Sequence, residues 1–254
     1  MTAEELYNPI QSNADPVVKI NNLRKSFGDL HVLKNISFEL NKGENLVVLG
    51  QSGCGKSVLI KCMVGLIEPD GGAIVILGEN PHNLTIKDLN ALRKKIGFLF
   101  QSGALYDSMT VRENLAFRFR EEKEMKEAEI NQLIEEALEQ VGLPDTGNKM
   151  PSELSGGMRK RIGLARTIIL KPEIILYDEP TTGLDPITSK EMSELILSIQ
   201  KKYQCTSIII THDIECAKLT SNKVMLLKEG LVKESGTFSA LQKSSDEWVH
   251  SFLN

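Results

Sequence analysis

Three short stretches of this chain carry residue types and spacings suited to phosphate chemistry. Gly50 to Ser57 read GQSGCGKS, a glycine loop that ends in a lysine and a hydroxyl. The apolar run NLVVL precedes it and SVLIKCMVGLI follows it, so the pattern G-x-x-x-x-G-K-[ST] sits between a strand and a helix. In that setting the backbone of Gly50, Gln51, Ser52, Gly53, Cys54 and Gly55 can wrap the α- and β-phosphates of a nucleotide without Cβ clashes. Lys56 then reaches the β- and γ-phosphates, and the Ser57 hydroxyl is a ligand for Mg²⁺.

The second stretch is IILYDEP, residues 174–180, in which an apolar strand delivers two carboxylates at its C-terminal end. Asp178 is placed to hold Mg²⁺ and Glu179 to orient or deprotonate an attacking water. A further strand, SIIIT, ends in His212, a candidate for sensing a γ-phosphate, and KIGFLF ends in Gln101, whose amide can reach the metal or the water. The third stretch, SELSGGMRKR from Ser152 to Arg161, pairs a glycine turn with a basic helical run, which favours an anion. Taken on its own it is either a second phosphate site or half of one.

These residues need elements to hold them. Nine short β-branched runs read as strands: VVKINNL, ISFEL, NLVVL, AIVIL, KIGFLF, IILYD, SIIIT, VMLLK and LVKES. Helical spacing marks SVLIKCMVGLI, LIEEALEQVGL, MRKRIGLARTIIL and SKEMSELILSIQKKY. The early strands follow one another closely, as in an antiparallel sheet, and the later ones alternate with helices, as in a parallel one. An α/β fold of one domain over residues 16–254 is expected, with a helical lobe over about 101–168, a helical end over about 237–254, and a loose segment over residues 1–15. The charge-rich stretch REEKEMKEAEINQLIEEALEQ reads as a solvated helix face.

Composition narrows the function classes. With 254 residues and 41% hydrophobic content the chain can bury a large core, and a net charge of -4 gives no basic footprint for nucleic acid. The four cysteines show no CxxC spacing and read as reduced thiols of a cytosolic protein, with Cys54, in its glycine loop, the one expected to be reactive. No apolar run approaches the roughly 20 residues that span a bilayer, and the acidic start MTAEELYNPIQSNAD lacks a signal-peptide pattern.

In their order and spacing, GQSGCGKS, Gln101, LSGGM, ILYDEP, TGLD and His212 resemble the ATP-binding cassette (ABC) ATPases, from about Val17 to at least Ser239. The resemblance implies a P-loop NTPase with a RecA-like parallel core, an antiparallel β subdomain and a helical subdomain that carries LSGGM. It implies ATP and Mg²⁺, with Ser57, Gln101 and Asp178 at the metal. It also resolves the third stretch: Ser155, Gly156 and Gly157 would face the γ-phosphate held by a second copy in a head-to-tail dimer, with Asp185 of TGLD near that interface. Phe27, in LRKSFGD, matches the aromatic that stacks on adenine. Val58 stands where the family usually has threonine after the loop serine, a change expected in helix packing more than in phosphate contact.

A single cassette without a membrane span resembles the energy-coupling subunit of a transporter whose permease is another polypeptide. Chromosome-maintenance relatives insert long coiled coils between GKS and LSGG, where only a compact lobe fits here. The run QSGALYDSMTVREN, with MPSELSGGM and DEPTTGLDPIT, is similar to the ATPases of Mla/Mce-type phospholipid transporters. That likeness implies a phospholipid substrate, an MlaE-type permease docking near Gln101–Thr110, an Mce-domain protein, and a place on the cytoplasmic face of the inner membrane. The chain ends soon after SSDEWVHSFLN, so neither a C-terminal embrace of the neighbouring ATPase nor a STAS-domain regulator is expected.

Overall fold

The computed structural model describes residues 16–122 and 125–254; the expectation for residues 1–15 lies outside them. The nine expected strands all form. β1 (Val18–Phe27), β2 (Leu30–Leu40) and β4 (Gly71–Ile76) make an antiparallel sheet in the order β2-β1-β4. A second sheet has the order β5-β6-β7-β3-β8-β9, built from β3 (Asn45–Leu49), β5 (Ile96–Leu99), β6 (Ile174–Asp178), β7 (Thr206–Thr211), β8 (Lys223–Lys228) and β9 (Leu231–Gly236). Its strands pair in parallel except for β9, which pairs antiparallel with β8 at the edge.

Every residue of β3 and β7 is buried, as continuous apolar runs covered on both faces must be. Successive side chains point to opposite faces. Val47, Leu49, Ile175, Tyr177 and Ile209 therefore belong to one core, and Leu46, Val48, Ile174, Leu176 and Ile208 to the other. The second core is closed by the antiparallel sheet and by α1 (Lys56–Met63) and α2 (Ile86–Lys94); the first is closed by the remaining helices.

Between β5 and β6 lie α3 (Val111–Glu122), α4 (Glu127–Gln140) and α5 (Gly156–Ile168). The spacing of Ile130, Ile134, Ala137 and Leu138 buries one stripe of α4 while Glu129, Glu135, Glu136 and Glu139 stay exposed, so the part of the charge-rich stretch that forms α4 has a solvated face. Each of those buried isoleucines and Leu138 contributes about 1.5–3 kcal/mol of burial. Beyond β6 come α6 (Pro186–Tyr203), α7 (Ile214–Thr220), α8 (Phe238–Leu241) and α9 (Glu247–Leu253). Two helices carried no expectation. α2 exposes most of its surface and buries only Leu92, and α7 has seven residues, too few to show a period.

Because β3, β6 and β7 run parallel, Leu49, Asp178 and Thr211 end at the same side of the sheet. Everything that follows those ends is brought to one edge.

Candidate active site

The loop after β3 bends back on itself at Gly53 and Gly55, with φ of +81° and +108°. A side chain at Gly55 would place its Cβ 2.8 Å from Leu33 Cδ2 and 2.9 Å from Val32 O, so this turn closes only with glycine. Closure folds the loop around Lys56, whose ammonium donates to Gly50 O at 2.7 Å and to Gln51 O at 3.2 Å. Lys56 is only 6% exposed and stands 3.4 Å from Glu179 Oε1.

Glu179 leaves β6 in the left-handed region, φ +51°, anchored by its N–H to Ile210 O at 2.9 Å. Its second carboxylate oxygen accepts from the Thr182 hydroxyl at 3.1 Å and from the His212 N–H at 3.3 Å, with His212 Nδ1 at 2.8 Å. Asp178, one residue earlier, sits 3.4 Å from the Ser57 hydroxyl, which donates to it. Burial pushes the Asp178 carboxyl above the ordinary carboxylate range; the Ser57 bond opposes this and the Glu179 charge adds to it.

Phe27, Ser52, Gly53, Gly55, Lys56, Ser57, Val58, Gln101, Glu179 and His212 all line one cleft of about 480 Å³. Val32 and Thr182 line it too; a half-buried strand valine and a threonine in a turn carry no signal in sequence that points to a ligand. Phe27 stands at the mouth, 49% exposed, with the Lys25 ammonium 5.4 Å from its ring centroid. Gly50 and Gln51 take part through the carbonyls that hold Lys56. Cys54 differs from expectation. Its side chain packs into the core below the loop, burial pushes its thiol up, away from the reactive thiolate, and Cys54 is not among the residues that line the cleft.

The donor set fits a nucleotide with a divalent cation. The loop backbone and a buried lysine suit phosphate oxygens, and the cleft volume falls in the range of small-molecule sites. The Ser57 hydroxyl, the Asp178 carboxylate and the Gln101 amide are hard oxygen donors of the kind Mg²⁺ takes.

Ser155, Gly156 and Gly157 do not line this cleft. Ser155 caps α5, its hydroxyl accepting from Met158 N–H at 3.2 Å, and both Ser155 and Gly156 are exposed. A Cβ on Gly157 would lie 2.8 Å from Thr188 Cγ2, which places this turn against the start of α6. Asp185 caps α6, accepting from Ile187 N–H, Thr188 N–H and the Thr188 hydroxyl; the last of these chiefly holds its carboxyl below the ordinary range. Two adjacent helix N-termini are thus exposed, apart from the Lys56 cleft: that of α5 is capped by the Ser155 hydroxyl, and that of α6 has its first N–H groups taken up by the Asp185 carboxylate.

A second groove, about 400 Å³, lies beside the segment after β5 and is lined by Phe98, Phe100, Ala104, Phe117 and Arg166 among others. Asn114 fixes the segment, accepting from Tyr106 N–H at 2.7 Å and donating to Met109 O and Thr110 O at 3.0 Å. Arg166 donates to Ala104 O and stacks 5.0 Å from the Tyr106 ring.

The profile of the family described as ABC transporter matches residues 33–182, more than half of the chain. This chain belongs to the ABC transporter family. Among curated relatives of this cassette, the probable ribonucleotide transport ATP-binding protein mkl of Mycobacterium bovis is 42% identical over 93% of the chain and 66% of its own length. The chain thus spans just under two thirds of that relative. The intermembrane phospholipid transport system ATP-binding protein MlaF of Haemophilus influenzae is 36% identical over 93% of the chain and 90% of its own length. Protein TRIGALACTOSYLDIACYLGLYCEROL 3, chloroplastic, of Arabidopsis thaliana is 37% identical over 96% and 75%.

Solved structures agree on the fold. The cbiO1 protein of Clostridium perfringens, part of an ABC transporter complex, superposes with a TM-score of 0.81 at 29% identity, over 94% of the cassette and 99% of that chain. A dimeric ATP-binding cassette in a post-hydrolysis state with ADP and Pi superposes with a TM-score of 0.78 at 31% identity, over 87% and 98%. No helix among the described residues is long and apolar enough to cross a membrane.

Proposed function

We propose that the chain hydrolyses ATP as the nucleotide-binding subunit of a phospholipid transporter. The observation that carries the ATPase reading is the Glu179 carboxylate, held over Lys56 in the cleft by Thr182 and His212. Adenine stacks on Phe27, the phosphates enter the glycine loop, and Glu179 takes a proton from the attacking water. Ser57, Asp178 and Gln101 would hold Mg²⁺, which when bound offsets the negative charge of the phosphates. His212, on the partly exposed side of Glu179, orients that carboxylate and meets the γ-phosphate.

Ser155, Gly156 and Gly157 complete the cleft of a second copy, head to tail, and Asp185 abuts the same interface. The outward exposure of both helix N-termini supports this pairing, as does the dimeric state of the post-hydrolysis neighbour. ATP bridges the two chains, hydrolysis removes the bridge, and the pair relaxes. A permease of MlaE type docks in the groove beside Gln101–Thr110, at the cytoplasmic face of an inner membrane, with an Mce-domain protein beyond it.

Phospholipid as cargo draws on the name of the Haemophilus relative, which is matched over 90% of its length. The mycobacterial name specifies ribonucleotides, a second reading with the higher identity. Gentle solubilisation of membranes, capture of the chain, and mass spectrometry of the bound polypeptides and lipids separates them. A multi-span permease with an Mce-domain protein and enriched phospholipid supports the first; a different permease without lipid removes it and leaves the ATPase chemistry.

A further inference from the structure

Lys160, in the second turn of α5, is only 6% exposed, and its ammonium donates to the backbone carbonyl of Glu179 at 3.0 Å. Burial pulls its pKa down, while the charges of Glu179 and Asp178 oppose that fall. A cation buried against a single neutral carbonyl is costly, and methionine would fill the same space without that cost. What the ammonium holds is the peptide of a residue in an unusual conformation. Glu179 has φ +51°; its N–H is bound to Ile210 O at 2.9 Å, and its carbonyl also accepts from Thr182 N–H at 3.3 Å. The backbone of Glu179 is thus fastened to β7 on one side and to α5 on the other. Helix α5 is the element whose first turn is Gly156–Gly157, capped by Ser155.

We infer that Lys160 is a positioning residue that joins the two half-sites of one chain, tying the turn offered to the partner's nucleotide to the general base that acts on its own. The inference rests on the composite-site reading above. A displacement of α5 when the pair closes reaches the Glu179 peptide through this side chain. Lys160 therefore sets where the Glu179 carboxylate points and links the occupancy of one cleft to the chemistry of the other.

The test uses the chain assembled with its permease. Lys160→Met keeps the volume and removes the donor; Lys160→Arg restores a donor. We expect Lys160→Met to lower kcat about 10-fold to 10²-fold, the scale of a misplaced catalytic group, with the Kd for ATP within about twofold of wild type. The Hill coefficient for ATP falls toward unity, and Lys160→Arg regains most of kcat. Near-normal kcat in Lys160→Met overturns the inference, as does an arginine variant as impaired as methionine, or a loss confined to melting temperature and ATP affinity. Should Lys160→Met not fold, Lys160→Gln, polar but too short to reach the carbonyl, is judged by the same criteria. Glu179→Gln and Ser155→Arg run in parallel: normal hydrolysis by the first removes the general-base role, normal hydrolysis by the second sinks the composite-site reading, and inactive controls beside a normal Lys160→Met sink this inference alone.

Discussion

Glu179 and His212 meet twice at one oxygen: the His212 backbone N–H and ring Nδ1 both lie within hydrogen-bond reach of Glu179 Oε2, at 3.3 and 2.8 Å. That leaves Oε1 facing Lys56 at 3.4 Å. The carboxylate is oriented before any ligand arrives, which is how a general base is prepared.

Glu179→Gln keeps size and hydrogen bonding but removes the base. ATP binding should survive while hydrolysis falls about 10²-fold to 10⁴-fold. Single-turnover hydrolysis alongside equilibrium binding of ATP measures both, and near-normal turnover would remove the role assigned to Glu179.

Ser155→Arg alters an exposed cap that lies off the cleft of its own chain. The isolated chain should bind ATP with unchanged affinity, whereas the assembled pair should lose hydrolysis. Residual activity of the pair would mean that each cleft works without its neighbour.

Phe27→Ala removes an exposed ring at the cleft mouth. Loss of stacking worth about 0.5–1.5 kcal/mol should raise the Kd for ATP roughly 2-fold to 12-fold with little change in kcat. An unchanged Kd would place the base elsewhere.

Asp178 carries a raised carboxyl pKa, so the native state holds its proton more tightly than the unfolded chain does. Its contribution to stability is present below the ordinary carboxylate pKa and is lost as pH rises through the raised native value. At neutral pH the ionised group is therefore a liability to the ligand-free chain. Asp178→Asn should raise the melting temperature of the ligand-free protein by a few degrees and flatten its dependence on acid pH, while abolishing Mg²⁺-dependent hydrolysis. A lower melting temperature would contradict the assigned burial cost.

Much of this was legible in sequence because apolar runs and glycine spacing are local signals. All nine strands, and the loop, Glu179, Gln101 and His212 that line the cleft, follow from such runs. The order of strands was not: β3 leaves its sequence neighbours β2 and β4 to pair with β7 and β8, a choice made by two-faced burial across the whole sheet. Helix α7 was too short to show periodicity. Cys54 misled, because a glycine loop reads as exposed and the thiol points the other way, into the core. Lys160 read only as part of a basic helical run and Thr182 carried no signal; their importance lies in which atoms the fold sets beside Glu179.

The outward-facing Ser155 turn has a genetic consequence. In the proposed head-to-tail pair each chain lends a working part to its partner's reaction centre, so a defective copy would spoil more than its own. With equal amounts of intact and altered chains pairing at random, only about a quarter of the pairs hold two unaltered chains. A cell carrying both alleles would therefore fall well below half of its transport capacity, and altered copies would behave as dominant poisons.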